Sequence, residues 1–217
     1  MELDKFVETY PRLYHMAELD TWASIKRHGL LSTAAVLDRH GIKGAARSPF
    51  EVNHRPTKMS VGVGKDSIVL RDQKPMPPDR IAKALIDGTS PAQWYTFLNQ
   101  KVFMWAEEER LLTLLGAMDY KNLEHDVLTI DTAKLLAVYV GRVSLCRMNS
   151  GNTKPFWLSR GLDDFKRIPD YPTKIRSGKP AKPVVEVVVD YAVPDISKYV
   201  IDVRRMKARQ VLAGIPL

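Results

Sequence analysis

Cysteine is almost absent from this sequence: Cys146 is the only one among 217 residues, so no internal disulfide can form. This excludes the disulfide-rich class of small secreted domains and favours a buried structural thiol in a reducing compartment. No apolar run approaches the roughly 20 residues that a membrane-spanning helix needs, and the start Met1–Asp4 lacks the features of a signal peptide. We therefore expect a soluble protein of the cytoplasm with no membrane partner.

The common signatures of metal and nucleotide sites are missing as well. Neither HExxH nor CxxC occurs, and the five histidines are scattered with no defensible Ser-His-Asp arrangement. The run from Gly62 to Ser67 faintly resembles a phosphate loop, but it lacks the spacing of a Walker loop, so we assign it to a turn. The sequence therefore predicts no metal site.

Positive charge is in excess, with 33 Lys and Arg against 25 Asp and Glu and a net charge of +8. Such a balance favours polyanionic partners, namely nucleic acid, nucleotide phosphates or an anionic membrane surface. Much of the excess lies in residues 154–182, where four prolines keep the chain extended or looped. This region either recognises an anionic partner or is a solvated basic loop.

Short strand and helix patterns follow one another irregularly along the chain. Strands are predicted at residues 12–17, 67–70, 101–105, 127–130, 138–140, 183–190 and 199–203. Helices are predicted to begin at Asp20, Ser32, Pro77, Ser90, Ala106 and Asp131. Regular βαβ alternation is missing, which argues against a doubly wound fold. We predict a single α+β domain over residues 1–217.

The run Pro183–Asp190 places a carboxylate, Glu186, among valines. Strand alternation predicts that Val184, Glu186 and Val188 share one face. A charge there is unfavourable unless water, a partner or a ligand meets it. The run is therefore either an edge strand with a wet face or a strand that points Glu186 into a cleft.

Three further side chains are candidates for a site. His15 lies in an early strand, where a histidine is either a satisfied structural group or a ligand contact. Phe103 and Trp105 share one face of their strand by the period of two. Their rings either belong to the core or stack on a planar heterocycle beside a cleft.

Three segments together resemble DarT-type ADP-ribosyltransferases. The opening Tyr14-His15-Met16, followed by the run His28–Ser32, is similar to the family's strand histidine and its GLLS-like stop. Glu186–Pro194 resembles the family's catalytic strand, and Val102–Trp105 its aromatic central strand. The chain is also similar to uncharacterised bacterial proteins that share the Leu98–Trp105 pattern. It departs from the family at Met16, where a small hydroxyl residue is usual, and at residues 106–109, which are Ala-Glu-Glu-Glu.

The resemblance implies an ADP-ribosyltransferase-like split antiparallel β-sheet with flanking helices and with NAD, as co-substrate, between the halves of the sheet. It implies that Glu186 and His15 are catalytic residues that face each other across this cleft. Glu186 would hold a ribose hydroxyl and stabilise the ribosyl cation, because a carboxylate there gains more in the transition state than in the ground state. His15 would bind the adenosine-side ribose, and Phe103 or Trp105 would stack on nicotinamide.

The remaining assignments rest on residue chemistry and chain position. Phosphates require cations, and Arg71 and Arg47 are the candidates, with exposed salt bridges as the alternative. The predicted acceptor side comprises Asn149, Ser150, Arg160, Lys174 and Arg176. Most of it lies in the basic region 154–182, the proposed acceptor-recognition loop. The same region carries aromatic side chains that could stack on unpaired bases, namely Phe156, Trp157 and Tyr171.

The predicted activity is transfer of ADP-ribose from NAD to a base of DNA or RNA, as in a bacterial toxin or anti-phage effector with an antitoxin or immunity protein as partner. Two alternatives stay open. The acceptor could be a protein side chain or water, which would make the protein a protein-modifying transferase or a NAD glycohydrolase. The protein could instead be a non-catalytic, basic nucleic-acid-binding module in which His15 and Glu186 are structural.

Overall fold

One large antiparallel sheet organises the chain in the computed structural model, which describes residues 1–217 apart from the side chain of Lys65. The strands are β1 (Arg12–Glu18), β2 (Leu30–Leu31), β3 (Met59–Val61), β4 (Ile68–Leu70), β5 (Lys101–Trp105), β6 (Glu124–Asp131), β7 (Val143–Cys146), β8 (Phe165–Arg167), β9 (Glu186–Asp190), β10 (Ala192–Val193), β11 (Val200–Lys207) and β12 (Gln210–Gly214). Eight of them form the sheet β12-β11-β6-β1-β5-β9-β7-β8, while β2 pairs with β10 and β3 with β4.

Eight α-helices connect these strands in the described part of the chain. They are α1 (Leu3–Thr9), α2 (Trp22–His28), α3 (Thr33–Arg39), α4 (Ser48–Glu51), α5 (Pro78–Ala84), α6 (Pro91–Asn99), α7 (Glu108–Leu115) and α8 (Thr132–Tyr139). Three predicted starts are confirmed by capping bonds. The side chains of Ser32, Ser90 and Asp131 accept the first free backbone N–H groups of α3, α6 and α8.

Two local predictions are wrong. Residues 138–140, predicted as a strand, end helix α8 and begin a short 3-10 turn, because the cap at Asp131 starts a helix that continues through the apolar run. Asp20 has φ 61, a left-handed conformation outside the helix, and Thr21 occupies the N-cap position of α2. The stretch 41–65, which was expected to be loop-like, contains α4 and β3. Helix α1 and strands β2, β7, β8, β10 and β12 were not predicted.

The two faces of the large sheet are covered differently. On one face, the apolar side chains of the sheet and of α1, α2 and α8 form the main core, which includes Leu13, Met104, Leu128, Val187, Phe6, Trp22 and Leu135. The other face carries two separate clusters. Helix α7 packs on Tyr14, Met16 and Val127, whereas α5 and α6 pack near Phe103 and Phe165. This second face is therefore divided between two groups of helices.

The sheet itself opens between β1 and β5. These neighbours share one residue pair, Tyr14 with Trp105, whereas β1 pairs with β6 over seven residues and β5 with β9 over five. The sheet thus consists of two four-stranded halves joined at a single point. We conclude that the fold is a mixed α/β domain built on a large antiparallel sheet.

Glu186 begins an interior strand. β9 pairs with β5 on one side and with β7 on the other, so the edge-strand alternative is wrong. The valine-rich run fits this strand because its first four residues are all buried, so both of its faces are covered. Val184 does not share the face of Glu186, because the strand begins only at Glu186 and Val184 packs into the main core with Val187 and Val189.

None of the helices that the structure describes has the length and apolar character that crossing a membrane requires.

Candidate active site

A cavity of about 1010 Å³ lies beside the opening of the sheet. Its lining includes consecutive residues of β1 and β5, the ends of α6 and α7, strand β4 and the loop of residues 149–155. Ligand-binding pockets commonly span about 300–1,000 Å³, so this one has room for a ligand the size of a dinucleotide. His15, Arg71, Phe103, Trp105 and Glu186, which the sequence singled out, all contribute to the lining.

Glu186 is held in one orientation in this cavity. It is only 4% exposed, and its Oε2 accepts a hydrogen bond from the backbone N–H of Ser150 at 3.2 Å. The other oxygen, Oε1, is not fully buried, and Glu186 lines the cavity, so this oxygen is accessible to a ligand there. Burial raises the pKa of Glu186 to about 7, although contacts with Ser150 and the positive charge of Arg160 partly oppose this rise. Near neutral pH this carboxyl group is therefore poised between its two protonation states.

His15 bridges the opening of the sheet. Its Nδ1 lies 2.7 Å from the carbonyl oxygen of Phe103 in β5, and a carbonyl can only accept, so Nδ1 carries the proton. Burial, helped by the charge of Arg71, lowers the pKa of His15 to about 4 despite the Phe103 bond. The ring is neutral near pH 7, which leaves Nε2 as an acceptor. Nε2 is not buried and has no partner among the described residues, so a ligand hydroxyl can donate to it.

We expect His15 to keep the neutral Nδ1–H tautomer from about pH 8 down to about pH 5.5, because its pKa lies well below the ordinary histidine range. Long-range ¹⁵N–¹H correlation spectra report the protonation of each ring nitrogen, and the His15→Gln variant would assign the signals. Protonation of Nε2 in this range would contradict the assigned geometry.

Phe103 and Trp105 line the cavity from neighbouring positions on one strand. Both rings are half-buried and share one face of β5, as predicted. Phe103 packs against the α5 and α6 cluster, and Trp105 against the α7 cluster. In the register of the sheet Trp105 lies directly between Glu186 on β9 and Tyr14 on β1. Both rings are therefore close enough to Glu186 for a planar group bound beside the carboxylate to contact them. Stacking of such a group on the rings stays a prediction.

Positive charge reaches the cavity through Arg71 and through Arg55, which no sequence pattern had indicated. Arg71 lies 5.0 Å from the centre of the Tyr120 ring and takes part in none of the ion pairs among the described residues. Arg55 is 5% exposed, donates to the backbone oxygens of Arg71 and Phe50, and likewise has no carboxylate in contact in the described part of the chain. Burial lowers the pKa of Arg55 to about 10, still far above neutrality. Both side chains therefore bring positive charge to the cavity, and the nearby Asp72 offsets part of the Arg55 charge without contacting it.

Arg47 does not belong to this site. It is not part of the cavity lining, and its guanidinium group is bound by Glu51 at 2.9 Å and by Asp38 at 2.5 Å. The predicted place of Arg47 in a phosphate site is wrong, because two carboxylates already neutralise it. Nothing in the local sequence separates Arg47 from Arg55, since both lie in the same irregular, basic stretch.

The predicted acceptor residues are divided by the fold. Asn149, Ser150 and Lys154 line the cavity. Arg160 does not reach it: the side chain is 1% exposed and donates to backbone oxygens of the preceding loop, so its predicted contact with substrate is corrected to a structural one. Cys146 is buried as expected, and burial raises the pKa of its thiol to about 12.

Lys174 and Arg176 lie away from the cavity. They are exposed in a turn closed by the Thr173–Pro180 bridge, in a segment that packs through Ile168 and Tyr171 into the main core on the other face of the sheet. Their predicted place beside the site is wrong, and so is the stacking role of Tyr171, which is 4% exposed. The basic region 154–182 is therefore not one continuous loop at the cavity.

The aromatic pair that follows Lys154 is exposed. Phe156 is 84% exposed and Trp157 is 43% exposed. The guanidinium carbon of Arg80 lies 5.6 Å from the Trp157 ring centre, and the Lys83 ammonium lies 5.9 Å from it. Because Lys154, Pro155 and Arg80 line the cavity, this cationic and aromatic surface continues outward from it. We call Phe156, Trp157, Arg80 and Lys83 the aromatic platform.

No group of three or more His, Cys, Asp or Glu side chains that could hold a metal ion occurs in the part of the chain that the structure describes.

One protein-family model, described as a family of unknown function (DUF7002), matches residues 11–200. The matched range contains every lining residue discussed above, including His15, Arg55 and Glu186. No curated protein and no solved structure matches the chain.

Proposed function

Because the chain belongs to the DUF7002 family, whose function is unknown, we propose a function from the cavity itself: NAD-dependent transfer of ADP-ribose to a base of DNA or RNA. The finer fold belongs to this proposal. The two sheet halves, whose strands pair only at Tyr14 and Trp105, would be those of an ADP-ribosyltransferase-like split sheet, with NAD in the opening.

The observation that carries the proposal is the orientation of Glu186. One carboxylate oxygen is anchored by the Ser150 N–H, and the other is presented to the cavity. When the bond between nicotinamide and the ribose carbon breaks, the electron pair leaves with nicotinamide and the ribose becomes an oxocarbenium-like cation. A carboxylate fixed beside that cation stabilises the charge as it develops, with little reorganisation. A pKa of about 7 also allows Glu186 to take the proton that the acceptor loses as it bonds to the ribose carbon.

The other lining groups match the remaining parts of NAD. The free Nε2 of His15 would accept a hydrogen bond from a ribose hydroxyl. Trp105, which pairs directly with Glu186 across the strands, would stack on nicotinamide. Arg55 and Arg71 would meet the two phosphate charges, since neither has a carboxylate partner within the described structure.

The aromatic platform supports a nucleic acid as the acceptor. Exposed rings flanked by cations suit unpaired bases and their phosphates, because any base can stack while the charges contact the backbone. The platform adjoins the cavity, so a strand lying on it would bring a base towards Glu186. The net charge of +8 favours the same partner. In a cell, such an activity would suit a toxin or an anti-phage effector, with an antitoxin or immunity protein as its partner.

Incubation with NAD labelled in the adenylate part, in separate pools of single-stranded DNA, RNA and protein, tests the proposal. We expect nicotinamide release and label that stays with a nucleic acid and is lost on nuclease treatment. Label that stays on polypeptide after nuclease treatment would show that the acceptor is a protein. Free ADP-ribose as the only product would show that the protein is a NAD glycohydrolase. Nucleic-acid binding without nicotinamide release in any pool would overturn the enzymatic proposal and leave a binding module.

A further inference from the structure

We propose that Arg160 is a positioning residue for Glu186: it holds residues 149–152 so that the Ser150 amide anchors one carboxylate oxygen and leaves the other facing the cavity. The expected effect of Arg160 on kcat rests on the proposed function, whereas its effect on the orientation of Glu186 does not.

Arg160 is itself fixed in place by its backbone. Its N–H donates to the Ala84 oxygen at 2.8 Å, and its own carbonyl oxygen accepts from the Ile86 N–H at 3.0 Å. These bonds tie residue 160 to the end of helix α5. The side chain therefore extends from a rigid point rather than from a free loop.

The guanidinium group binds the loop through several backbone oxygens at once. Nη1 donates to Ser150 at 2.8 Å and to Asn149 at 3.4 Å, Nη2 donates to Asn152 at 2.9 Å, and Nε donates to Leu158 at 3.1 Å. Three of these acceptors belong to the segment that carries the anchoring amide. A planar fork of fixed N–H directions matches several acceptors in a way that a lysine ammonium cannot. Arg160 thereby determines where the Ser150 N–H points.

Arg80 holds the next part of the same loop. It donates to the Thr153 oxygen at 2.8 Å and to the Pro155 oxygen at 2.7 Å, while the Thr153 hydroxyl donates to the Pro75 oxygen at 2.6 Å. Five backbone oxygens of residues 149–155 are thus bound by two arginines. The Arg160 contact is the one next to Glu186, so we assign the positioning role to Arg160.

The surroundings of Glu186 leave few other groups that could set its charge. From β7 it faces the Cys146 thiol, from β5 the Trp105 ring, and from the loop Ser150 with Arg160 behind it. His15 and Arg71 line the same cavity from other elements. Arg160 therefore acts on Glu186 in two ways, through its charge and through the amide that it positions, and these can be separated.

The test is the titration of Glu186 in protein labelled with ¹³C at the glutamate carboxyl carbons, with Glu186→Gln to assign its signal. Arg160→Lys keeps the positive charge but loses the fork, so we expect the titration midpoint of Glu186 to move to higher pH as the anchoring amide is lost. Amide exchange at Ser150 should become at least about tenfold faster, because the loop opens more often. Arg147→Lys is the matched control, since Arg147 is more exposed and pairs with Asp164 instead of the loop.

An unchanged titration midpoint of Glu186 in folded Arg160→Lys would overturn the proposal. It would show that Arg160 acts on Glu186 only through its charge. If that variant does not fold, the Ser150 amide of the wild-type protein provides the test. We expect its hydrogen exchange to be slowed, because Arg160 holds the backbone that carries it. Exchange as fast as that of an exposed amide would overturn the proposal as well. The titration needs no NAD, so its failure is distinguishable from a failure of the proposed activity. If the protein releases nicotinamide, Arg160→Lys should lower kcat more than it raises the KM for NAD.

Discussion

Replacing Glu186 by glutamine should lower the rate of nicotinamide release from NAD by about 10²–10³-fold at a pH slightly above neutrality. Glutamine has nearly the shape of glutamate, and its carbonyl oxygen can still accept the Ser150 N–H that now holds Oε2. The substitution therefore removes the negative charge that faces the cavity and leaves the anchor in place. The KM for NAD should change little, because the charge acts mainly on the cation that forms in the transition state.

The pH dependence provides a second readout of the same substitution. Release by the wild-type protein should rise through about pH 7 as Glu186 ionises, whereas the residual activity of Glu186→Gln should lack this rise. Glu124→Gln is a suitable control, since Glu124 is the half-buried first residue of β6 and does not line the cavity. Wild-type rates in Glu186→Gln would exclude Glu186 from the chemistry.

The same Glu186→Gln variant should be more stable than the wild-type protein by about 3 kcal/mol near pH 8, with the difference falling below about 1 kcal/mol near pH 5 and vanishing below about pH 4. Glu186 has a folded-state pKa of about 7 against an ordinary value of 4.5. At a pH well below 4.5 the carboxyl group is protonated in both the folded and the unfolded state, so it does not change the free energy of unfolding. As the pH rises towards 7, the unfolded chain ionises first, so the wild-type protein loses stability until the folded group ionises too. Glutamine has no such loss.

Urea unfolding of both proteins near pH 5 and near pH 8 measures this difference. The buried histidines, His15 and His125, have pKa values lowered to about 4 and weaken the fold in acid, but they do so in both proteins and cancel in the comparison. A stability difference that is the same at both pH values would mean that Glu186 is not perturbed in the way described. A gain in stability combined with a loss of activity is the expected signature of a strained functional group.

Local patterns predicted the secondary structure well where the chain provides its own signals. The side chains of Ser32, Ser90 and Asp131 start helices because each satisfies free backbone N–H groups within a few residues. The aromatic strand at residues 101–105 follows from its alternation. The apolar run at residues 138–140 shows the limit of this reasoning, since valine and tyrosine suit a strand by propensity but extend a helix that is already capped.

The arginines show why the site could be predicted only in part. Arg47, Arg55, Arg71 and Arg160 have the same chemistry, and only their partners decide their roles. Arg47 is neutralised by two carboxylates, and Arg160 binds backbone oxygens without lining the cavity. Arg55 and Arg71 line the cavity and form no salt bridge in the described structure. Some of these partners are tens of residues away in the chain, so a local sequence pattern cannot identify them.

By itself, the sequence determined that the protein is a basic mixed α/β domain with its one cysteine buried, and that a carboxylate stands within a valine-rich strand. It also identified His15, Phe103, Trp105 and Arg71, since strand period and position after a strand are local properties. Only the tertiary structure decided that this strand is interior, that the sheet opens beside it, and that the basic stretch 154–182 divides between the cavity and the opposite face. The physical reason is that burial depends on contacts between residues that are distant in the chain. Burial sets the pKa of Glu186, and the same contacts decide whether each arginine is paired with a carboxylate.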